Sequence, residues 1–170
     1  MSPAEPVVVG PGEGERRSSG EGEITLRLIG RHTGDRVSLI ELHMRAGVAT
    51  PLHRQPYDDE TIHVLEGRLT VHLDGVDHRA QAGAVVFVPR EVPHALRAEE
   101  DTRLMLYGRP VGQERYLRAC SAPVTQAPAP AVPARRFAAI ARHHAALLSG
   151  VEVLGDAPFY AETSVRGPDG

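Results

Sequence analysis

From Ile24 to Tyr107 the chain is a series of short alternating runs, each closed by a turn signal, and this punctuation restricts the possible folds more than any other feature. Ile24, Leu26 and Leu28 alternate with Thr25 and Arg27, the period-2 pattern of a half-buried strand. Thr33-Gly34-Asp35 reads as a turn. Val37 to Arg45 reads as a second strand, with Ile40, Leu42 and Met44 on one face and Glu41, His43 and Arg45 on the other. Thr61 to Leu65 is ended by Gly67. Arg68 to Leu73 meets Val76 to Ala80 across Asp74-Gly75, a strong hairpin signal. Ala84 to Val88 is nearly all apolar and reads as a core strand, and Ala95 to Arg97 and Arg103 to Tyr107 complete the series. Many short strands at such spacing predict an all-β sandwich or barrel.

The flanks have a different character. Residues 1–22 are rich in Pro, Gly, Glu and Ser and offer little apolar surface against ordering entropy, so a flexible segment is expected there. Gly108 to Ala119 is mixed. The predicted organisation is a barrel over 23–120, a Pro/Ala-rich connector over 121–134, and a C-terminal helix and tail over 135–170. Within the last, Phe137, Ile140, Ala141, His144, Leu147 and Leu148 share one helical face, and Gly150 is placed to cap its end.

Bulk numbers exclude several classes of function. A length of 170 residues suits one domain, and a formal net charge of −3 gives no basis for a nucleic-acid or anionic-membrane partner. The single cysteine, Cys120, rules out an intrachain disulfide. No run reaches the roughly 18 apolar residues of a membrane span. The first thirty residues lack an apolar core behind a basic start, so no signal peptide is expected and the expected location is the cytoplasm.

The chemistry is concentrated between Gly47 and His94. Residues i and i+2 of an extended strand point the same way, so His53 and Gln55 face one side. Glu60 heads the strand Thr61 to Leu65, and His94 follows Pro89 and Pro93, which fix a loop. Two imidazoles, a carboxylate and an amide oxygen can therefore meet inside a barrel. Two His and one carboxylate with open positions opposite suit non-haem iron, and the same set accepts other first-row ions. The alternative is a hydrogen-bonded polar cluster with no ion. For Gln55 the alternative to ligation is an amide that hydrogen-bonds a water or the substrate.

The spacing resembles the two signature motifs of the cupin superfamily, G-x5-H-x-H-x3,4-E-x6-G and G-x5-P-x-G-x2-H-x3-N. Gly47, His53, Glu60 and Gly67 match the first, and Gly83, Pro89 and His94 match the second. Three positions depart. Gln55 stands where the first motif has a second histidine, Glu91 replaces the glycine of the second motif, and Ala98 its asparagine. Within the superfamily, Pro51-Leu52-His53-Arg54, Glu60-Thr61-Ile62-His63-Val64-Leu65-Glu66-Gly67 and Val88-Pro89-Arg90-Glu91-Val92-Pro93-His94 are similar to bacterial single-domain proteins of the quercetin 2,3-dioxygenase type. The resemblance implies a cupin jelly-roll β-barrel with a C-terminal α-helix, often dimeric. It also implies one divalent transition metal (Fe, Mn, Ni, Co or Zn) held by His53, Gln55, Glu60 and His94.

The activity so implied is oxygen-dependent cleavage of a small aromatic or enolic substrate, with Glu60 as ligand and catalytic base. Ile40, Leu42, Met44 and Tyr107 are candidates for the pocket wall by alternation. The alternatives are a non-oxidative isomerase, cyclase or lyase, and a small-molecule binder without turnover. A homodimer is the expected assembly. His63 falls on the strand face opposite Glu60; His43 and His72 read as solvated or interface residues, and Asp58-Asp59 as a solvated loop. Arg54 should point away from the metal.

Overall fold

The computed structural model describes residues 4–19, 22–109, 112–119, 121–124 and 152–158. Strands dominate: β1 (Glu15–Ser18), β2 (Gly22–Leu28), β3 (Ser38–Met44), β4 (Pro51–Arg54), β5 (Asp59–Glu66), β6 (Arg68–Leu73), β7 (Val76–Gln81), β8 (Val85–Val88), β9 (His94–Ala98), β10 (Thr102–Arg109), β11 (Ala122–Pro123) and β12 (Glu152–Pro158). The helices among the described residues are short, α1 (Gly30–Thr33) and α2 (Gly112–Ala119). None is long and apolar enough to cross a membrane.

The strands form two antiparallel sheets, one ordered β11-β1-β2-β3-β10-β5-β8 and the other β12-β4-β9-β6-β7. The alternation seen in the sequence becomes the two faces of each sheet. Leu26, Ile40, Ile62, Val64 and Leu104 from the first sheet are buried in one apolar cluster with Leu69, Val71 and Leu96 from the second. Burying each such side chain is worth about 1.5–3 kcal/mol, so this shared interior holds the sheets together. Turn chemistry fixes the registers. Asp74 and Gly75 both adopt positive φ, 45° and 88°, as a tight hairpin between β6 and β7 requires. Gly67 turns β5 into β6 at φ 79°, and a Cβ there would lie 2.5 Å from the Asp101 carbonyl oxygen.

Several expectations need correction. Residues 15–18, within the segment expected to be flexible, form β1, paired with both β2 and β11. What holds them is largely polar. Arg17 is 8% exposed and donates to Glu15, to Ser121 and to the Arg118 carbonyl, contacts that hydropathy does not reveal. Ala84 to Val88 is not a core strand: β8 lies at a sheet edge, and Val85 and Phe87 are 63% and 60% exposed on its outer face. Gly112 to Ala119 is helical, residues 122–123 are strand rather than connector, and residues 152–158 form a strand rather than part of a tail. The expected helix over 135–148, the rest of the connector, the end of the tail and Cys120 lie outside the described residues.

Candidate metal centre

The site forms where β4, β9 and β5 meet at one end of the interior. His53 and His94 are cross-strand partners on β4 and β9, with ring centroids 4.2 Å apart and planes tilted by 53°. Glu60 lies on the inward face of β5 with Ile62 and Val64 and is 2% exposed. One ligand atom from each of His53, Glu60 and His94 falls within 4.8 Å of the others, so the structure brings the three sequence candidates together.

Their loops are latched to each other. The Glu91 N–H donates to the Gln55 carbonyl at 2.9 Å, and Arg54 pairs with Glu91 at 3.1 Å, so Arg54 is directed away from the imidazoles as expected. Arg90 holds Asp59 through its backbone N–H (3.0 Å) and its guanidinium (2.9 Å). Glu91 has φ 70°, the left-handed conformation for which the motif's glycine is suited, so the turn survives the substitution at the cost of local strain.

Hydrogen bonding fixes the state of each ring. His53 Nδ1 lies 2.9 Å from the Pro51 carbonyl oxygen, and His94 Nδ1 lies 2.8 Å from that of Val92. A carbonyl only accepts, so both Nδ1 atoms carry hydrogen, and in the neutral ring each Nε2 is a bare lone pair. This is the second contact that orients metal-binding histidines. His94 Nε2 nevertheless lies 3.1 Å from Glu60 Oε2. Lone pair facing carboxylate is repulsive unless a cation lies between them, and the cation is either a proton or a metal ion.

The titration directions agree. Burial, reinforced by the charge of His94, pushes His53 down to about 4, which keeps it neutral and ready to ligate. Burial alone pulls His94 down and pushes Glu60 up. The hydrogen bond and charge between them outweigh burial, so His94 ends above its ordinary value and Glu60 below. The donor set thus fits a divalent ion: two oriented imidazoles and an ionised carboxylate, in a buried setting where an uncompensated charge is costly.

Gln55 is 2% exposed and its Nε2 donates to Glu60 Oε2 at 3.3 Å. Its Oε1 is buried and has no hydrogen-bond partner among the described residues, an orphaned acceptor beside a candidate cation site. A carboxylate only accepts, so Gln55 donates to Glu60 when no ion is bound, and a half-turn of the amide that presents Oε1 instead needs a cation between the two oxygens.

Sequence reasoning missed Gln113. It is 5% exposed on α2 and donates from Nε2 to Glu60 Oε1 at 2.5 Å. The signal was present in the i, i+4 pairs of this segment: Gln113 and Leu117 are both buried, and Glu114 pairs with Arg118 at 3.3 Å. Ser38 was also missed. It lies in the same cross-strand row as Gly108 and Glu60, fully buried, with its Oγ unpartnered among the described residues.

Of the pocket candidates, Ile40, Leu42 and Met44 are buried in the apolar cluster. Tyr107 is not with them. Leu104 and Leu106 occupy the inward positions of β10, so Tyr107 points outward and is 41% exposed. Asp58 is buried rather than solvated, and His72 is buried with Nδ1 at 2.6 Å from Asp77. His63 takes the outward parity of β5, partly exposed.

Comparison with known proteins agrees with this geometry. A family model described as "Cupin domain" matches residues 40–107. Quercetin 2,3-dioxygenase of Bacillus subtilis (strain 168) is 36% identical over 103 residues, 60% of this chain and 31% of that protein. The polyketide synthase CurC of Streptomyces cyaneus is 32% identical over 76 residues, 44% of this chain and 49% of that protein. The chain thus spans about a third to a half of the curated relatives it matches. Among solved structures, an RmlC-like cupin from Shewanella frigidimarina covers 68% of this chain and 99% of its own at TM-score 0.58 and 19% identity. Ectoine synthase from P. lautus covers 70% and 86% at TM-score 0.55 and 19% identity. At such identities the likeness is one of fold.

Proposed function

Residues 40–107 are a cupin domain, and from that premise we propose that the chain is a metal-dependent enzyme that uses O2 to cleave a small aromatic or enolic substrate. The observation that carries the reading is the pair of imidazoles, each with Nδ1 tied to a backbone carbonyl, facing one buried carboxylate. The similarity to quercetin 2,3-dioxygenase supports the choice of reaction class.

In this reading His53, Glu60 and His94 hold the ion, with the orphaned Oε1 of Gln55 available as a fourth donor. A bound divalent transition ion would supply a Lewis acid for an enol or phenol oxygen and a route for electrons to O2. The chain's own residues do the rest. Glu60 acts as ligand and as the base that takes the proton as the substrate O–H bond breaks, and Ile40, buried two residues along β3 from the row that holds Glu60, supplies apolar wall that keeps water out.

The test has two parts. Metal content is measured in protein purified without added metal, for wild type and Gln55→His; the variant is expected to retain more, because imidazole is the stronger donor. Equal content would remove Gln55 from the coordination sphere. Protein loaded with Fe, Mn, Co or Ni is then given a flavonol, and O2 uptake with at least one ion is expected. No uptake with any of them would sink the oxygenase assignment.

A second reading, non-oxidative isomerisation, cyclisation or lyase cleavage, is favoured by one observation: an amide replaces an imidazole in the donor set, which makes the site less like an oxygen-activating one. Turnover under strictly anaerobic conditions separates the two.

A further inference from the structure

The two oxygens of Glu60 have different surroundings. Oε2 faces His94 Nε2 at 3.1 Å and accepts from Gln55 at 3.3 Å, whereas Oε1 accepts from Gln113 Nε2 at 2.5 Å. Gln113 comes from α2, beyond the residues matched as a cupin domain. Its helix is held at three points: the Gly30 N–H donates to Glu114 Oε2 at 2.7 Å, Arg118 pairs with Glu15 at 2.8 Å, and the buried Arg17 donates to the carbonyls of Arg118 and Ser121 at 2.9 and 2.6 Å. Leu117, one turn after Gln113, is buried in the apolar cluster and fixes the helix's rotation. The Gln113 amide is oriented without ambiguity, because a carboxylate only accepts, so Nε2 must face Glu60. Its own Oε1 is buried without a partner among the described residues, so the donation to Glu60 is the contact this side chain is built around.

We propose that Gln113 is a positioning residue that occupies Glu60 Oε1, so that the carboxylate offers the histidine pair one oxygen, Oε2, and cannot swing to present both. The inference rests on the metal reading above. It assigns to a segment outside the domain match the task of setting how Glu60 binds.

The test titrates metal-free protein with Co(II), whose visible absorption weakens as coordination number rises, and measures the Kd for Zn(II) by calorimetry. Gln113→Met keeps the length and removes the donor. With Oε1 released, the Co(II) bands are expected to weaken as both oxygens bind, and the Kd to rise about tenfold or more, the usual scale for losing a supporting hydrogen bond. Gln113→Asn, whose amide is too short to reach Glu60, is expected to behave like Gln113→Met and serves if the methionine variant does not fold. A purely packing role would lower the melting temperature of the metal-free variants and leave the Co(II) spectrum and the Kd unchanged, and that result overturns the proposal. Wild-type protein that takes up no Co(II) would overturn the metal reading and this proposal with it. Wild-type uptake together with an unaltered variant overturns this proposal alone.

Discussion

Two carboxylates set between pairs of nitrogen bases lie on opposite faces of the large sheet. Glu41 lies on the outer face of β3, bridging Arg27 at 2.9 Å and Arg103 at 2.8 Å. Glu60 lies on the inner face of β5 with His53 and His94. Burial works against the charge of both, and both are nonetheless held below the ordinary carboxylate range by their partners. The difference lies in the partners. A guanidinium is always charged, so the outer cluster is balanced by groups covalently part of the chain. An imidazole with Nδ1 tied to a carbonyl is neutral until something binds its other nitrogen, so the inner cluster is balanced only when it captures a cation. The outer arrangement serves stability. The inner one leaves a charge deficit that an ion can fill.

The sharpest way to break this comparison is to remove one base from each cluster. His94→Ala should weaken binding of Zn(II) or Co(II) by more than about 100-fold, beyond the loss typical of a supporting contact, whereas Arg103→Ala should leave the affinity unchanged. Calorimetric titration of both variants decides it, and equal losses would mean the inner cluster is not the metal centre. Next in size is neutralising each carboxylate. Glu41→Gln takes a carboxylate from Arg27 and Arg103 and should cost about 1 kcal/mol in urea unfolding, a figure held down because Arg103 is 40% exposed and keeps its pair with Glu66. Glu60→Gln in metal-free protein removes one partner of a buried pair that a proton on His94 balances, so it should cost more than Glu41→Gln in the same urea unfolding. No loss of stability in metal-free Glu60→Gln would mean that His94 carries no such proton and that the cluster stays unbalanced until an ion enters.

The smallest effect is the pH dependence of the Glu41 contribution. Folding lowers the Glu41 pKa, so the stabilisation is complete above its ordinary value of 4.5 and fades as pH falls through the lower folded value. The gap in urea midpoint between wild type and Glu41→Gln should therefore be flat from pH 7 to about 5 and shrink below that. A gap that persists unchanged at pH 3 would mean that lost packing, not charge, explains the variant.

The legibility of the molecule followed the same division. Period-2 patterns and Asp-Gly or Gly turns are local signals, and the eight strands from Gly22–Leu28 to Thr102–Arg109, β4 aside, correspond to runs visible in the sequence. His53, Glu60 and His94 were legible because a fixed motif spacing on strands and tight loops leaves little freedom in where the side chains arrive. Gln113 was not, because its role depends on α2 being held by Arg17, Gly30 and Glu15, each distant in sequence. Nor did the apolar run Val85 to Val88 reveal its exposure. Hydrophobicity cannot distinguish an edge strand from a central one when the sheet's neighbours are set by topology. Glu91 is a different case: the substitution was visible, but only the backbone, at φ 70°, shows that the turn was kept.

The pairing of His53 with His94 across β4 and β9 has a kinetic consequence. Glu60 is 34 residues from His94 and 53 from Gln113, so no early, local contact can assemble the centre. A one-residue slip of β4 against β9 would throw one imidazole onto the far face of its sheet. The complete centre therefore needs the non-local pairing of β4 with β9, the kind of contact that forms slowly in β proteins. On the metal reading, ion uptake during refolding is a clock for correct registry: it should lag behind the appearance of strand signal, and a captured ion would stabilise by mass action only chains that have closed correctly.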